Sequence, residues 1–115
     1  ISCENVLSYF DTNTEQLPVR YMEKALQFRK EVIDGVPAVV HNDGTGRLQT
    51  VIPEKEPLLH DLLQRFHKIT NCPVLLNTSF NLNGEPIVNS PEDAIKTYFT
   101  SGIDSLILGD FIIDK

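Results

Sequence analysis

The stretch Pro73–Val88, reading P-V-L-L-N-T-S-F-N-L-N-G-E-P-I-V, constrains this chain more than any other. Val74, Leu75 and Leu76 form a short continuous apolar run, which predicts a strand buried on both faces. The chain then turns polar at once, with Asn77, Thr78, Ser79 and Asn81 bringing amides and hydroxyls together. Asn83-Gly84 follows as a tight reversal, because both residue types tolerate a positive φ. Open α/β sheets hold ligands beyond the carboxyl ends of their strands, so a buried strand ending in small hydrogen-bonding side chains is a candidate site. The same residues also satisfy backbone groups in tight loops. The stretch therefore locates a candidate site without naming its chemistry.

The segments on either side extend the α/β pattern. Glu4–Phe10 predicts a short helical segment with Val6, Leu7 and Phe10 on one face, and Asp11-Thr12-Asn13-Thr14 a polar loop. Val19–Met22 fits a short strand, whereas Lys24–Ile33 fits neither the helical nor the strand period. Pro37–Ile52 reads as a hairpin: Ala38, Val39 and Val40 make one arm, Leu48–Ile52 the other, and Asp43-Gly44-Thr45-Gly46 connects them. Glu56–Asn71 reads as a helix, with Pro57 at its first position and an apolar stripe of Leu58, Leu59, Leu62, Leu63, Phe66 and Ile69. A second helix opens at Ser90-Pro91-Glu92-Asp93, an N-cap followed by acidic residues in the first turn, with Ala94, Ile95, Tyr98 and Phe99 inward. Ser105–Leu108 and Phe111–Ile113 complete the chain as a buried strand and a final strand around Gly109-Asp110. This order predicts one α/β domain with a mixed twisted sheet and packed helices.

Composition narrows the function. At 115 residues the chain suits a single domain, and a formal charge of −6 opposes an electrostatic nucleic-acid binder. Any phosphate must be held by a few placed groups. Arg47 is the candidate for that, because its planar guanidinium donates in pairs, although exposed arginines outnumber ligand-binding ones. His41 lies near the same turn, where a structural hydrogen-bonding role competes with a catalytic one. His60 and His67 fall a heptad apart on the polar side of their helix, about 10 Å along the axis, too far to share an ion. No metal site is expected, and both histidines are expected to face solvent. Ser79 lacks a G-x-S-x-G setting and a placed base, so it is not read as a nucleophile. Cys3 and Cys72 lack metal or redox spacing and suit two free thiols in a reducing, cytoplasmic compartment. No apolar run approaches the roughly 20 residues of a membrane helix. The residues alone thus yield an α/β domain whose candidate site lies between Arg47 and the Asn77–Asn81 loop.

Three strings carry a resemblance. They are His41-x-Asp43-Gly44-Thr45-x-Arg47-x-Gln49-Thr50-Val51, then Pro73–Asn81, then Gly84-Glu85-Pro86-Ile87-Val88. In that order they resemble the C-terminal domain of O-carbamoyltransferases of the nodulation and antibiotic-tailoring (NodU/CmcH) type. The Pro91-Glu92-Asp93-Ala94 helix start and the closing Gly109-Asp110-Phe111 are similar too. Residues 37–115 form the motif-bearing core, and residues 1–36 a poorly matched lead-in.

The resemblance implies a YrdC-like α/β fold, present here as a truncated part of that domain. It implies formation of carbamoyl-adenylate from carbamoyl phosphate and ATP, with magnesium accompanying the nucleotide. An actin-like, metal-binding N-terminal domain of the same polypeptide would then pass the carbamoyl group to an acceptor hydroxyl. Arg47, Asn77 and Ser79 would contact nucleotide and carbamoyl phosphate, with His41 and Asp43 close by. Gly46 stands where the family usually has alanine, a change expected to be mild. The family's basic upstream string would precede Ile1, so the chain is expected to be a domain fragment that folds but does not adenylate by itself. A non-catalytic nucleotide-binding or docking module of the same fold is the alternative.

Overall fold

The computed structural model describes the backbone of residues 1–115 and every side chain except that of Gln16. It divides into two compact units, Ile1–Leu76 and Asn77–Lys115. The division falls inside the Pro73–Asn81 motif.

The first unit opens with a single 3-10 turn, Cys3–Asn5, running into α1, Val6–Tyr9. This matches the helical segment expected there, and Val6 and Phe10 are buried while Leu7 is exposed. Phe10 packs on Phe28 with ring centroids 4.2 Å apart. Together with Ile1, Val19, Val36 and Leu48 they make the core of this unit. β1, Lys24–Gln27, pairs antiparallel with β2, Thr45–Leu48, in the register Ala25 to Arg47 and Gln27 to Thr45. Backbone bonds from Asp11 N to Gln27 O and from Arg29 N to Tyr9 O, both 2.8 Å, tie the end of α1 to this ribbon.

Two expectations fail here for one reason: strand pairing is chosen by tertiary partners. The Pro37–Ile52 hairpin does not form, because Pro37–Val39 is a 3-10 turn and β2 pairs with the period-less Lys24 segment instead. Pro37 has no amide to give a ladder, which suits it to the start of a helical turn. Val19–Met22 is not a strand either. Met22 sits at φ 55°, a left-handed conformation that ends an extended run. Val19 is instead held by Thr50, whose amide and hydroxyl both donate to the Val19 carbonyl, at 2.6 and 2.8 Å.

α2 spans Pro57–Thr70, with Pro57 at its first position and left-handed Asn71 (φ 57°) closing it. The cap is a favoured use of asparagine. Of the expected apolar stripe, Leu63 alone is buried, whereas Leu58 and Ile69 are each 84% exposed. His60 does not face solvent freely as expected. Its Nε2 lies 2.6 Å from Glu4 Oε1, and Gln64 Nε2 donates to the same oxygen at 2.8 Å. Cys3 and Cys72 are both free thiols. Val74–Leu76 forms no strand, and Leu76 is exposed, so the doubly buried strand expected there is absent. An apolar run states a preference for burial, and a ladder additionally needs a partner with free amides and carbonyls.

In the second unit, α3 (Pro91–Thr100) has the expected start: Asp93 N donates to Ser90 Oγ at 3.1 Å. Ala94, Thr97 and Tyr98 are buried, while Ile95 and Phe99 face out, contrary to expectation. β3 (Ser105–Leu108) and β4 (Phe111–Asp114) form an antiparallel hairpin turned by Gly109 at φ 61°. Leu106 is buried, but the cross-strand pair Ile107 and Ile112 is about 70% exposed, so β3 is half-buried and not the fully buried strand expected. The core of this unit is Ala94, Tyr98 and Leu106, with Phe80, Val88, Leu108 and Ile113 around it. The architecture is mixed α/β, but its ladders are two separate two-stranded antiparallel sheets in place of one mixed sheet.

Candidate functional site

Alternation along β2 decides what its residues can do. Gly46 and Leu48 are buried, Thr45 is half-buried and Arg47 is exposed, so Thr45 and Arg47 share the outer face. Directly opposed residues of an antiparallel pair lie on the same face, which adds Gln27 beside Thr45 and Ala25 beside Arg47. Ala25 is small and, like Arg47, exposed. Arg47 forms no ion pair with any described residue, unlike Arg20 and Arg65.

Gly46 is where it is because of space. A Cβ there would stand 2.3 Å from Phe28 Cε2 and 2.9 Å from the Val39 carbonyl oxygen. The ring of Phe28 thus occupies the volume that a side chain would need, and the backbone of β2 lies directly on it. An alanine at this position is therefore not the mild exchange expected from the sequence.

The loop before β2 is a closed network. His41 N donates to Thr45 O at 2.7 Å, and Gly44 N to His41 O at 2.9 Å. Asp43 Oδ1 accepts from Thr45 N at 3.0 Å and from the Thr45 hydroxyl at 2.7 Å. His41 Nδ1 lies 2.9 Å from that same hydroxyl oxygen. The bonds from the Thr45 hydroxyl and amide hold the Asp43 carboxyl below the usual carboxylate range, with a smaller contribution from His41. Gly44, at φ 80°, supplies the left-handed residue of this reversal. Arg47, His41 and Asp43 therefore belong to one ribbon and its adjoining loop, as the sequence order suggested.

Asn77 and Ser79 lie in the second unit, and both are exposed. The Ser79 hydroxyl donates to Asn81 Oδ1 at 2.5 Å. Asn81 in turn donates from Nδ2 to the carbonyls of Leu82 and Glu85, at 3.2 and 3.0 Å. Asn81 is thus the stitch that closes the Asn83-Gly84 turn, and Ser79 keeps oxygen lone pairs to offer but has already committed its proton. A base-activated nucleophile needs the opposite arrangement. The loop ends in a cleft of about 160 Å³ lined by Glu85, Ile87, Asp93, Lys96 and Thr97.

Sequence reading missed Ala25, Gln27 and Thr45. Gln27 and Ala25 join the site only through pairing with β2, for which the ambiguous Lys24–Ile33 stretch carried no signal. Thr45 was legible as the residue two after Asp43, a spacing at which an Asp side chain reaches a backbone amide. Among the described residues no three metal-ligating side chains gather, and no helix is long and apolar enough to cross a membrane.

Comparison with known proteins adds a lineage. The family described as carbamoyltransferase C-terminus matches residues 1–115. Nodulation protein NolO of Bradyrhizobium diazoefficiens is 41% identical over 114 residues, covering 97% of this chain and 20% of that protein. The 3'-hydroxymethylcephem-O-carbamoyltransferase of Amycolatopsis lactamdurans is 40% identical over 76 residues, 66% of this chain and 15% of that enzyme. Nodulation protein U of Rhizobium tropici is 46% identical over 67 residues, 58% of this chain and 12% of that protein. The chain thus spans about a fifth or less of the length of these relatives.

Proposed function

The chain belongs to the carbamoyltransferase C-terminus family, and from that premise we propose that it is part of a domain that makes carbamoyl-adenylate from carbamoyl phosphate and ATP. In this reading the fold is YrdC-like, magnesium accompanies the nucleotide, and an actin-like N-terminal domain of a longer polypeptide receives the carbamoyl group and passes it to a hydroxyl. The cephem relative, an O-carbamoyltransferase, supports the last step.

The single observation that carries the reading is the family match across residues 1–115. The chemistry of the first unit agrees with it. In a balanced sequence water releases inorganic phosphate from carbamoyl phosphate, and an oxygen of the resulting carbamate attacks the α-phosphorus of ATP as pyrophosphate departs, so charge accumulates on phosphate oxygens and must be met by fixed donors. Arg47 offers a guanidinium with no acid among the described residues competing for it. His41 and Asp43 shape the adjoining loop. Asn77 and Ser79 are assigned to orient neutral oxygens of nucleotide and carbamoyl group, a role in which Ser79 accepts and does not attack.

In the longer polypeptide, Arg47→Ala and Ser79→Ala should each remove carbamoyl-phosphate-dependent ATP consumption while leaving the circular dichroism spectrum unchanged. Rates equal to the parent protein would return both residues to a surface role. ATP binding that ignores carbamoyl phosphate, read by calorimetry, would identify a non-catalytic nucleotide-binding module instead.

A further inference from the structure

The His41–Thr45–Asp43 network has a consequence for which nitrogen of the imidazole carries its proton. A carboxylate is acceptor only, and a threonine hydroxyl owns one proton. At 2.7 Å from Asp43 Oδ1, the Thr45 hydroxyl must give that proton to the carboxylate; two bare oxygens at this distance would repel. The Thr45 oxygen then has only lone pairs left for His41 Nδ1, 2.9 Å away, so Nδ1 must be the donor. A neutral imidazole in water favours the other tautomer, with the proton on Nε2. The bond made by one ring nitrogen decides the state of the other.

We propose that Thr45 and Asp43 are positioning residues that hold His41 as the Nδ1–H tautomer and present Nε2 as a proton acceptor on the Arg47 face of the ribbon, for a phosphorylated ligand. Thr45 and Arg47 share that face, and the His41 ring is tied to Thr45. The proton balance is simple. The acidic P–O–H proton of a phosphate monoanion moves to Nε2, leaving a phosphate dianion between an imidazolium and the Arg47 guanidinium. No bond other than that O–H breaks. Asp43, ionised beyond Thr45, offsets the imidazolium charge through the hydroxyl. The tautomer follows from the hydrogen-bond geometry by itself; the ligand half rests on the reading of this face as phosphate-binding given above.

The test is two-bond nitrogen–proton correlation spectroscopy on the chain labelled with ¹⁵N at histidine, with His41 identified by its loss in His41→Gln. Above the imidazole titration, Nε2 of His41 should resonate as the bare nitrogen and Nδ1 as the protonated one. Thr45→Val should restore the ordinary preference for Nε2–H, and Thr45→Ser should return the parent pattern. A bare Nδ1 in the parent chain, or an unchanged pattern in Thr45→Val, would overturn the assignment. Inorganic phosphate added near neutral pH should drive His41 toward the imidazolium shift. Thr45→Val should weaken that response about tenfold, the worth of one charge-assisted bond. No proton uptake on phosphate addition would overturn the ligand half. Failure of the adenylation reading is separate, because it appears as unchanged ATP consumption in Arg47→Ala while the tautomer stays as stated.

Discussion

The two units are held together over very different distances in sequence. In Ile1–Leu76 the fixing bonds join distant segments: Arg20 to Glu56 at 2.8 Å, Glu4 to His60 at 2.6 Å and to Gln64 at 2.8 Å, and Thr50 to Val19. In Asn77–Lys115 the side-chain bonds span shorter separations, from Ser79 to Asn81, Asp93 N to Ser90 and Tyr98 to Asp104 O, reaching out to Ser105 with Asp114 and Lys115 with Ser101 O. The first unit therefore places its polar face with a framework that no single segment contains. The second builds a loop, a helix and a hairpin that each follow from neighbouring residues. Among the described residues its buried apolar ones are Ala94, Tyr98 and Leu106. A piece of this size sits near the limit at which one core sustains a fold.

The largest test of that contrast is Tyr98→Ala. Tyr98 is 0% exposed, and its hydroxyl donates to Asp104 O at 3.0 Å. Removing a buried aromatic side chain typically costs about 3–5 kcal/mol. Amide exchange should lose protection throughout residues 77–115 while the β1–β2 amides keep theirs; loss of protection in both regions together would abolish the distinction. A smaller effect is expected of Gly46→Ala. The new methyl meets the Phe28 ring and the Val39 carbonyl, and overpacking of this kind costs about 1–3 kcal/mol. Its midpoint in denaturant should fall, with the loss centred on residues 24–48. An unchanged midpoint would mean that Phe28 moves aside freely.

The smallest effect is electrostatic. Arg20 and the Ile52 amide hold the Glu56 carboxyl below its ordinary range. A carboxyl with a lowered folded-state pKa contributes stability that is complete above the ordinary carboxylate range and is lost as pH falls through the lowered value. Acidification should therefore weaken the Arg20–Glu56 tie, and Glu56→Gln should flatten the thermal midpoint against pH in that acid window. The guanidinium and the carboxylate of this tie are each about a third exposed, so the change should be modest.

Much of the second unit was legible before any coordinates. Ser90 and Pro91 mark a helix start by local chemistry alone, and the structure places Asp93 N on Ser90 Oγ. Gly84 and Gly109 mark turns for a similar reason, since both adopt positive φ. α2 was legible from its stripe, though not the fate of that stripe, because periodicity says which residues share a face and not what covers it. The candidate site was half legible. Arg47 and His41 were singled out from residue type and proximity and Asp43 through the family resemblance, while Ala25 and Gln27 were invisible until β1 found β2.

The chain's own letters determined what needs only near neighbours: the two longer helices and their caps, the glycine turns, the lone arginine beside a polar loop, and membership of its family. The tertiary structure decided the rest: that β2 pairs with Lys24–Gln27 and not with Ala38–Val40, that Val74–Leu76 stays unpaired, that Gly46 makes room for Phe28, and that Glu4 engages His60. The reason is physical. A cap or a turn is satisfied by atoms a few residues away, whereas a ladder, a packed ring or an ion pair depends on which distant segment arrives, and burial preference alone selects no partner.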